Sequence, residues 1–179
     1  MSLPGFALFD SPIGRCGIAW NTQGIAAVQL PEADDVTTRL RVAHAAGGAQ
    51  EAMPPGVLQA AIARIQALLH GVRDDLADLQ LDLSRTPDFQ RRVYAATRAV
   101  PPGRTTSYGD IAQQLGMPGS VRAVGQALGH NPFPIIVPCH RVLAAQGRSG
   151  GFSGYGGTAT KLRMLEIEGA QFGDMPGLF

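Results

Sequence analysis

The stretch Asn131-Pro132-Phe133-Pro134-Ile135-Ile136-Val137-Pro138-Cys139-His140-Arg141-Val142 constrains this chain more than any other. Three prolines and an apolar tripeptide carry the backbone through a rigid, buried passage. The passage ends by delivering Cys139 with His140 beside it.

The chain has a second cysteine, Cys16, far away in sequence, and no secretory features, so a disulfide framework is excluded and each thiol is read separately. Cys16 reads as an inert small hydrophobe. Cys139 differs because an imidazole and a guanidinium adjoin it, and nearby cations favour thiolate, the reactive form. Adjacent side chains rarely face each other, so His140 needs a tight turn or a bridging water to reach the sulfur. A third group must orient the imidazole. Between Thr158 and Gly169, Leu162, Leu165 and Glu168 recur at a spacing of three, which puts the Glu168 carboxylate on the inward face. The alternative is a solvated Glu168 in the last turn. Glu166 should point to water.

A length of 179 residues suits one ordinary domain or two small ones, and 45% hydrophobic against 16% charged residues gives enough apolar material for a real core. No apolar run approaches a membrane span, and Met1-Ser2-Leu3-Pro4 lacks a signal peptide's basic and apolar regions, so a cytoplasmic monomer is expected. Residues 5–30 read as a meander with strands Gly5–Phe9, Ile13–Trp20 and Gly24–Leu30. Helical periodicity follows over Ala33–Ala46 and Val57–Leu69, and a short strand over Leu79–Leu83. A boundary falls near Ser84–Pro87, giving an α+β unit of residues 1–85 and a mainly helical unit of residues 86–179. In the second unit, Thr86 is the expected N-cap of a helix that runs to about Ala99, with Pro87 at its first position. Ser107 opens another to Leu115, Gly116–Gly119 turns, and Ser120 caps a third ending near Gly129. The last two have the outline of a helix-turn-helix.

The formal charge of +1 is unevenly shared: six arginines meet nine acids through Arg85, and nine cations meet five acids beyond it. Only the second unit is a candidate for a polyanion partner. Cys16, His44 and His70 show no ligand spacing, and no metal or other cofactor is expected.

The run Phe89–Gly169 resembles the C-terminal domain of the O6-alkylguanine-DNA alkyltransferases, the methylated-DNA-protein-cysteine methyltransferases. The resemblance rests on Pro138-Cys139-His140-Arg141-Val142, Ser107-Tyr108, Arg122-Ala123-Val124-Gly125, Gly129-His130-Asn131-Pro132, and Lys161 with Glu168, all in register. Ser11-Pro12-Ile13-Gly14 matches the family's usual opening. The resemblance implies a small ribonuclease-H-like N-terminal domain followed by a winged-helix-like domain with a helix-turn-helix.

It also implies roles. Cys139 would attack the alkyl carbon on guanine O6, or on O4-alkylthymine, in double-stranded DNA and keep it as a thioether. Glu168, His140 and an ordered water would activate the sulfur, and Tyr108 would protonate the departing base. The lesion must leave the duplex, so Arg122 would fill the vacated stack, with Ser120, Ala123 and Gly125 close to the groove. Asn131, Val142, Lys161, Ser153 and Tyr155 would frame the alkyl pocket, although the loop 144–157 is slightly longer than usual, which leaves open whether Tyr155 or Phe152 is the loop aromatic. The main alternative is a non-catalytic protein that binds alkylated lesions, but such proteins lack the signature cysteine. A helix-turn-helix regulator and a thiol hydrolase are further alternatives.

Overall fold

The computed structural model describes residues 3–144 and 157–170. Strands β1 (Gly5–Phe9), β2 (Cys16–Asn21) and β3 (Gly24–Gln29) form an antiparallel sheet in sequence order. Period-2 alternation splits their side chains between two faces. Phe6, Ala19 and Ala27 pack with Val42 of α1 (Asp35–Ala45), while Ala7, Phe9, Ile18, Trp20, Ile25 and Val28 face the main core. Gly17 lets α1 lie close on the sheet, since a Cβ there would stand 3.0 Å from Val42. Helix α2 (Gly56–Leu69) buries Leu58, Ile62, Ile65 and Leu69 in the main core, as the periodicity predicts.

Two expectations for this half fail locally. The second strand begins at Cys16, not Ile13, because Gly14 takes φ 118° and its amide closes a turn on Ser11 O at 3.0 Å. Leu79–Leu83 is no strand: only Leu81 bridges to Ile25. Leu76 at φ 53° and the Asp82–Ser84 turn, where Asp82 Oδ1 accepts from Ser84 N at 3.0 Å, leave one residue in register between them.

Helix α3 (Asp88–Arg98) is not capped by Thr86. Pro87 occupies the cap position in extended geometry, and the Thr86 amide bonds back to Leu83 O at 3.0 Å. Ser107 does cap α4 (Tyr108–Gln114), its Oγ accepting from Asp110 N at 3.0 Å. A single 3-10 turn, Pro118–Ser120, leads into α5 (Val121–Gly129), so Ser120 stands before the helix without making a side-chain cap. The two-residue strands β4 (Thr106–Ser107) and β5 (Val142–Leu143) pair in parallel, and α6 (Thr158–Ile167) closes the described chain.

The result is a mixed helix-and-sheet fold with one main core. Ile18 and Ile65 of the first half and Val93, Ile111, Val124 and Ile136 of the second belong to the same cluster. A backbone bond from Val28 N to Pro132 O, 2.9 Å, ties the edge of the sheet to the segment that precedes Cys139. No helix among the described residues is long and apolar enough to cross a membrane.

Candidate active site

Asn131 starts the segment and folds it onto itself. Its Nδ2 donates to Val137 O and its Oδ1 accepts from Phe133 N, each at 2.9 Å. Val137 N reaches Phe133 O at 2.8 Å and Cys139 N reaches Val137 O at 2.7 Å. Ile135 is held at φ 76°, a region β-branched residues avoid, so this turn is imposed by its surroundings. Cys139–Arg141 then form one 3-10 turn. Successive side chains of such a turn leave about 120° apart, so the Cys139 sulfur does not share the direction taken by the two long side chains that follow it.

His140 and Arg141 both turn to Glu168, at the C-cap of α6. His140 Nε2 lies 2.7 Å from Glu168 Oε1, while Arg141 donates through Nε to Oε2 and through Nη2 to Oε1, both at 2.9 Å. A third Arg141 bond, from Nη1 to Val100 O at 2.8 Å, fixes the guanidinium. All three residues are buried, and Glu166 is exposed, as the spacing predicts.

These contacts set the charges. Burial pushes the Glu168 carboxyl upward, but the bonds from His140 and Arg141 outweigh it and pull it down to about 2. An ionised carboxylate only accepts, so Nε2 carries the imidazole proton. Burial lowers the His140 pKa despite Glu168, so the ring is neutral, and its buried Nδ1 has no partner among the described residues. Nδ1 is therefore the basic position.

Cys139 is 7% exposed, and its thiol pKa is raised, burial outweighing the downward pull of a hydrogen bond from the Asn131 side chain and of the Lys161 charge. This corrects the expectation that neighbouring cations hold a thiolate: the Arg141 charge is committed to Glu168. Cys16, buried with Ser11 Oγ 3.6 Å away, is pushed up to about 11 by burial.

The β4–β5 pair, Thr106 against Val142, brings the start of α4 beside the end of the cysteine turn. Tyr108 is the first residue of α4 and half-buried, and its phenol pKa is raised by burial and then by the charge of Cys139. Lys161 is fully buried; its Nζ donates to Val142 O at 2.8 Å and lies 5.9 Å from the Tyr108 ring centroid. Burial lowers it to about 8. On α5, Arg122 is exposed, Ala123 and Gly125 are half-buried, and a Cβ at Gly125 would meet the Tyr108 ring at 4.0 Å. The structure thus gathers Cys139, His140, Glu168, Tyr108, Asn131, Val142 and Lys161, with Arg122 outside on the adjoining helix. Ser153 and Tyr155, like Phe152, lie outside the described residues.

Sequence reasoning missed two features. The Arg141 fork on Glu168 had a signal, a cation two residues from the nucleophile, which was assigned to the wrong partner. Tyr94, whose buried hydroxyl donates to Ala127 O at 2.8 Å, had none. The cationic half is also less available than its count suggests: Arg141 and Lys161 are buried, and Arg163 pairs with Glu166 at 3.3 Å.

A buried thiol next to a neutral imidazole with an ionised carboxylate behind it, in a chain where α4 and α5 are joined by a tight turn, makes Cys139 the candidate nucleophile of a DNA-associated protein. Residues 88–170 match the family described as 6-O-methylguanine DNA methyltransferase, DNA binding domain. The methylated-DNA-protein-cysteine methyltransferase of Mycobacterium tuberculosis is 39% identical over 164 residues, 91% of each chain. The crystal structure of the O6-methylguanine methyltransferase of M. tuberculosis aligns with a TM-score of 0.73 at 38% identity, covering 93% of each chain. The M. tuberculosis protein in complex with DNA gives 0.73 at 36% identity over 92% of each. The chain belongs to the methylated-DNA-protein-cysteine methyltransferase family.

Proposed function

We propose that this protein is a direct-reversal DNA repair transferase that moves the alkyl group of O6-alkylguanine in double-stranded DNA, and of O4-alkylthymine, to Cys139. One observation carries the reading: Cys139, which follows the α4–α5 pair, adjoins an imidazole whose basic nitrogen has no partner among the described residues and whose other nitrogen is fixed by Glu168. The thiol proton passes to His140 Nδ1 through a water, and the sulfur pair attacks the alkyl carbon. The carbon–O6 bond breaks, its electrons enter the purine, and Tyr108 supplies a proton to N3. The product thioether has no good leaving group, so each chain reacts once.

Arg122, exposed on α5, takes the place of the extruded nucleotide, with Ser120, Ala123 and Gly125 along the groove. Asn131, Val142 and Lys161 frame the base, and Ser153 and Tyr155, which the resemblance also assigns to the pocket, lie outside the described residues. In this reading residues 1–85 form a ribonuclease-H-like unit and residues 86–179 a winged-helix-like one. A lesion-binding protein without transfer has no use for a thiol with its own base, which is why transfer is preferred. Incubation with a duplex containing O6-methylguanine should add one methyl mass to the Cys139 peptide, and Cys139→Ala should abolish it while DNA binding survives. A methyl on Cys16, or repeated turnover, would refute the assignment.

A further inference from the structure

Helix α5 ends irregularly. The amide that would close its last turn on Ala127 O, that of Asn131, bonds instead to Leu128 O at 3.2 Å as the chain leaves for the cysteine turn. Ala127 O is taken by the hydroxyl of Tyr94 on α3, 2.8 Å away and buried. Burial, and after it the charge of Cys139, pushes this phenol up to about 12, so it remains a donor at any working pH. The cysteine turn has braces of its own. Asn131 holds Val137 O and Phe133 N by itself, and Pro132 O is anchored on the sheet by Val28 N. Helix α4 is also tied to α3, since Arg92 donates to Leu115 O at 2.8 Å.

We propose that Tyr94 is a positioning residue: its hydroxyl, by closing the last turn of α5, sets the alignment between the exposed DNA-facing side of that helix and the independently braced Cys139 turn. The proposal rests on the alkyl-transfer reading. Without the hydroxyl the last turn frays, the sulfur keeps its own surroundings, and the base delivered from α5 meets it in poorer alignment.

The test is Tyr94→Phe in the full chain, in single-turnover reaction with a duplex carrying one O6-methylguanine. The stoichiometric end point counts competent molecules, so it separates folding from reactivity. Loss of one aligning hydrogen bond should lower the rate constant at saturating DNA about tenfold, with an end point of one methyl per competent chain. Iodoacetamide modification of Cys139, followed by peptide mass, should stay within about twofold of wild type, because Asn131 and Lys161 still face the thiol. Should the variant fold poorly, 4-aminophenylalanine at position 94 keeps a donor and should restore the wild-type rate constant. An unchanged rate constant overturns the proposal, and so does a parallel fall in iodoacetamide reactivity. A wild-type protein that takes no methyl at all overturns instead the transfer reading beneath it, and is seen before any variant is made.

Discussion

Replacing Glu168 with glutamine keeps the side-chain shape and removes the charge on which the site converges. Arg141 would then be a buried cation whose two bonds to the carboxylate, at 2.9 Å, lose their ionic partner. Breaking a buried pair at one end costs about 3–5 kcal/mol. An independent route gives a similar figure: a carboxyl lowered from 4.5 to about 2 contributes about 3 kcal/mol at neutral pH. A loss of about 3–4 kcal/mol in a chain of this size lowers Tm by roughly 6–16 °C. Because the folded pKa is depressed, the contribution is complete above the unfolded value of 4.5 and is lost as pH falls towards about 2. Calorimetry of both proteins from pH 7 to pH 3 should therefore show a gap that narrows below about pH 4.5. A second substitution, Arg141→Met, should recover part of the loss by removing the orphaned charge. A gap below about 1 kcal/mol, or one that ignores pH, would refute the account of Glu168 as an ionised buried hub.

Ser107→Ala removes the α4 cap and should cost about 1 kcal/mol in urea unfolding, with slower methyl transfer because Tyr108 is the next residue. Gly24→Ala would put a Cβ 2.6 Å from Gln80 O at φ 137°, and should destabilise the protein by about 2 kcal/mol or more in the same measurement. Arg122→Ala, on an exposed helix face, should change stability by less than about 0.5 kcal/mol yet slow transfer from duplex DNA about tenfold or more. Stability should also decline as pH falls below about 6.5, because His140 is buried neutral and gains a proton more readily when unfolded; a flat profile between pH 7 and pH 5 would contradict this.

Much of this was legible in the sequence where a local rule acts alone. The first strand at Gly5–Phe9, the apolar stripe of α2 and the helix opened by Ser107 all appear as read, because each is decided within a few residues. The 162–165–168 spacing placed Glu168 inward for the same reason. Readings failed where a neighbour in space overrode the local signal. Leu79–Leu83 alternates like a strand, but its flanking turns leave Leu81 alone to pair. Thr86 has the chemistry of a cap, but its backbone serves the preceding turn. The direction of the Cys139 shift depended on how deeply the thiol is buried and on where the Arg141 fork points, and neither leaves a mark in one dimension. Tyr94 meets Ala127 across thirty-three residues, beyond any periodicity.

The covered, protonated state of Cys139 has a further consequence. A molecule that can act only once is wasted by every accidental encounter with a peroxide or a stray electrophile. Withholding the anion until the correct partner arrives acts as a safety catch, trading idle reactivity for shelf life. Such a protein should outlast, in an oxidising extract, a variant whose sulfur is opened to solvent.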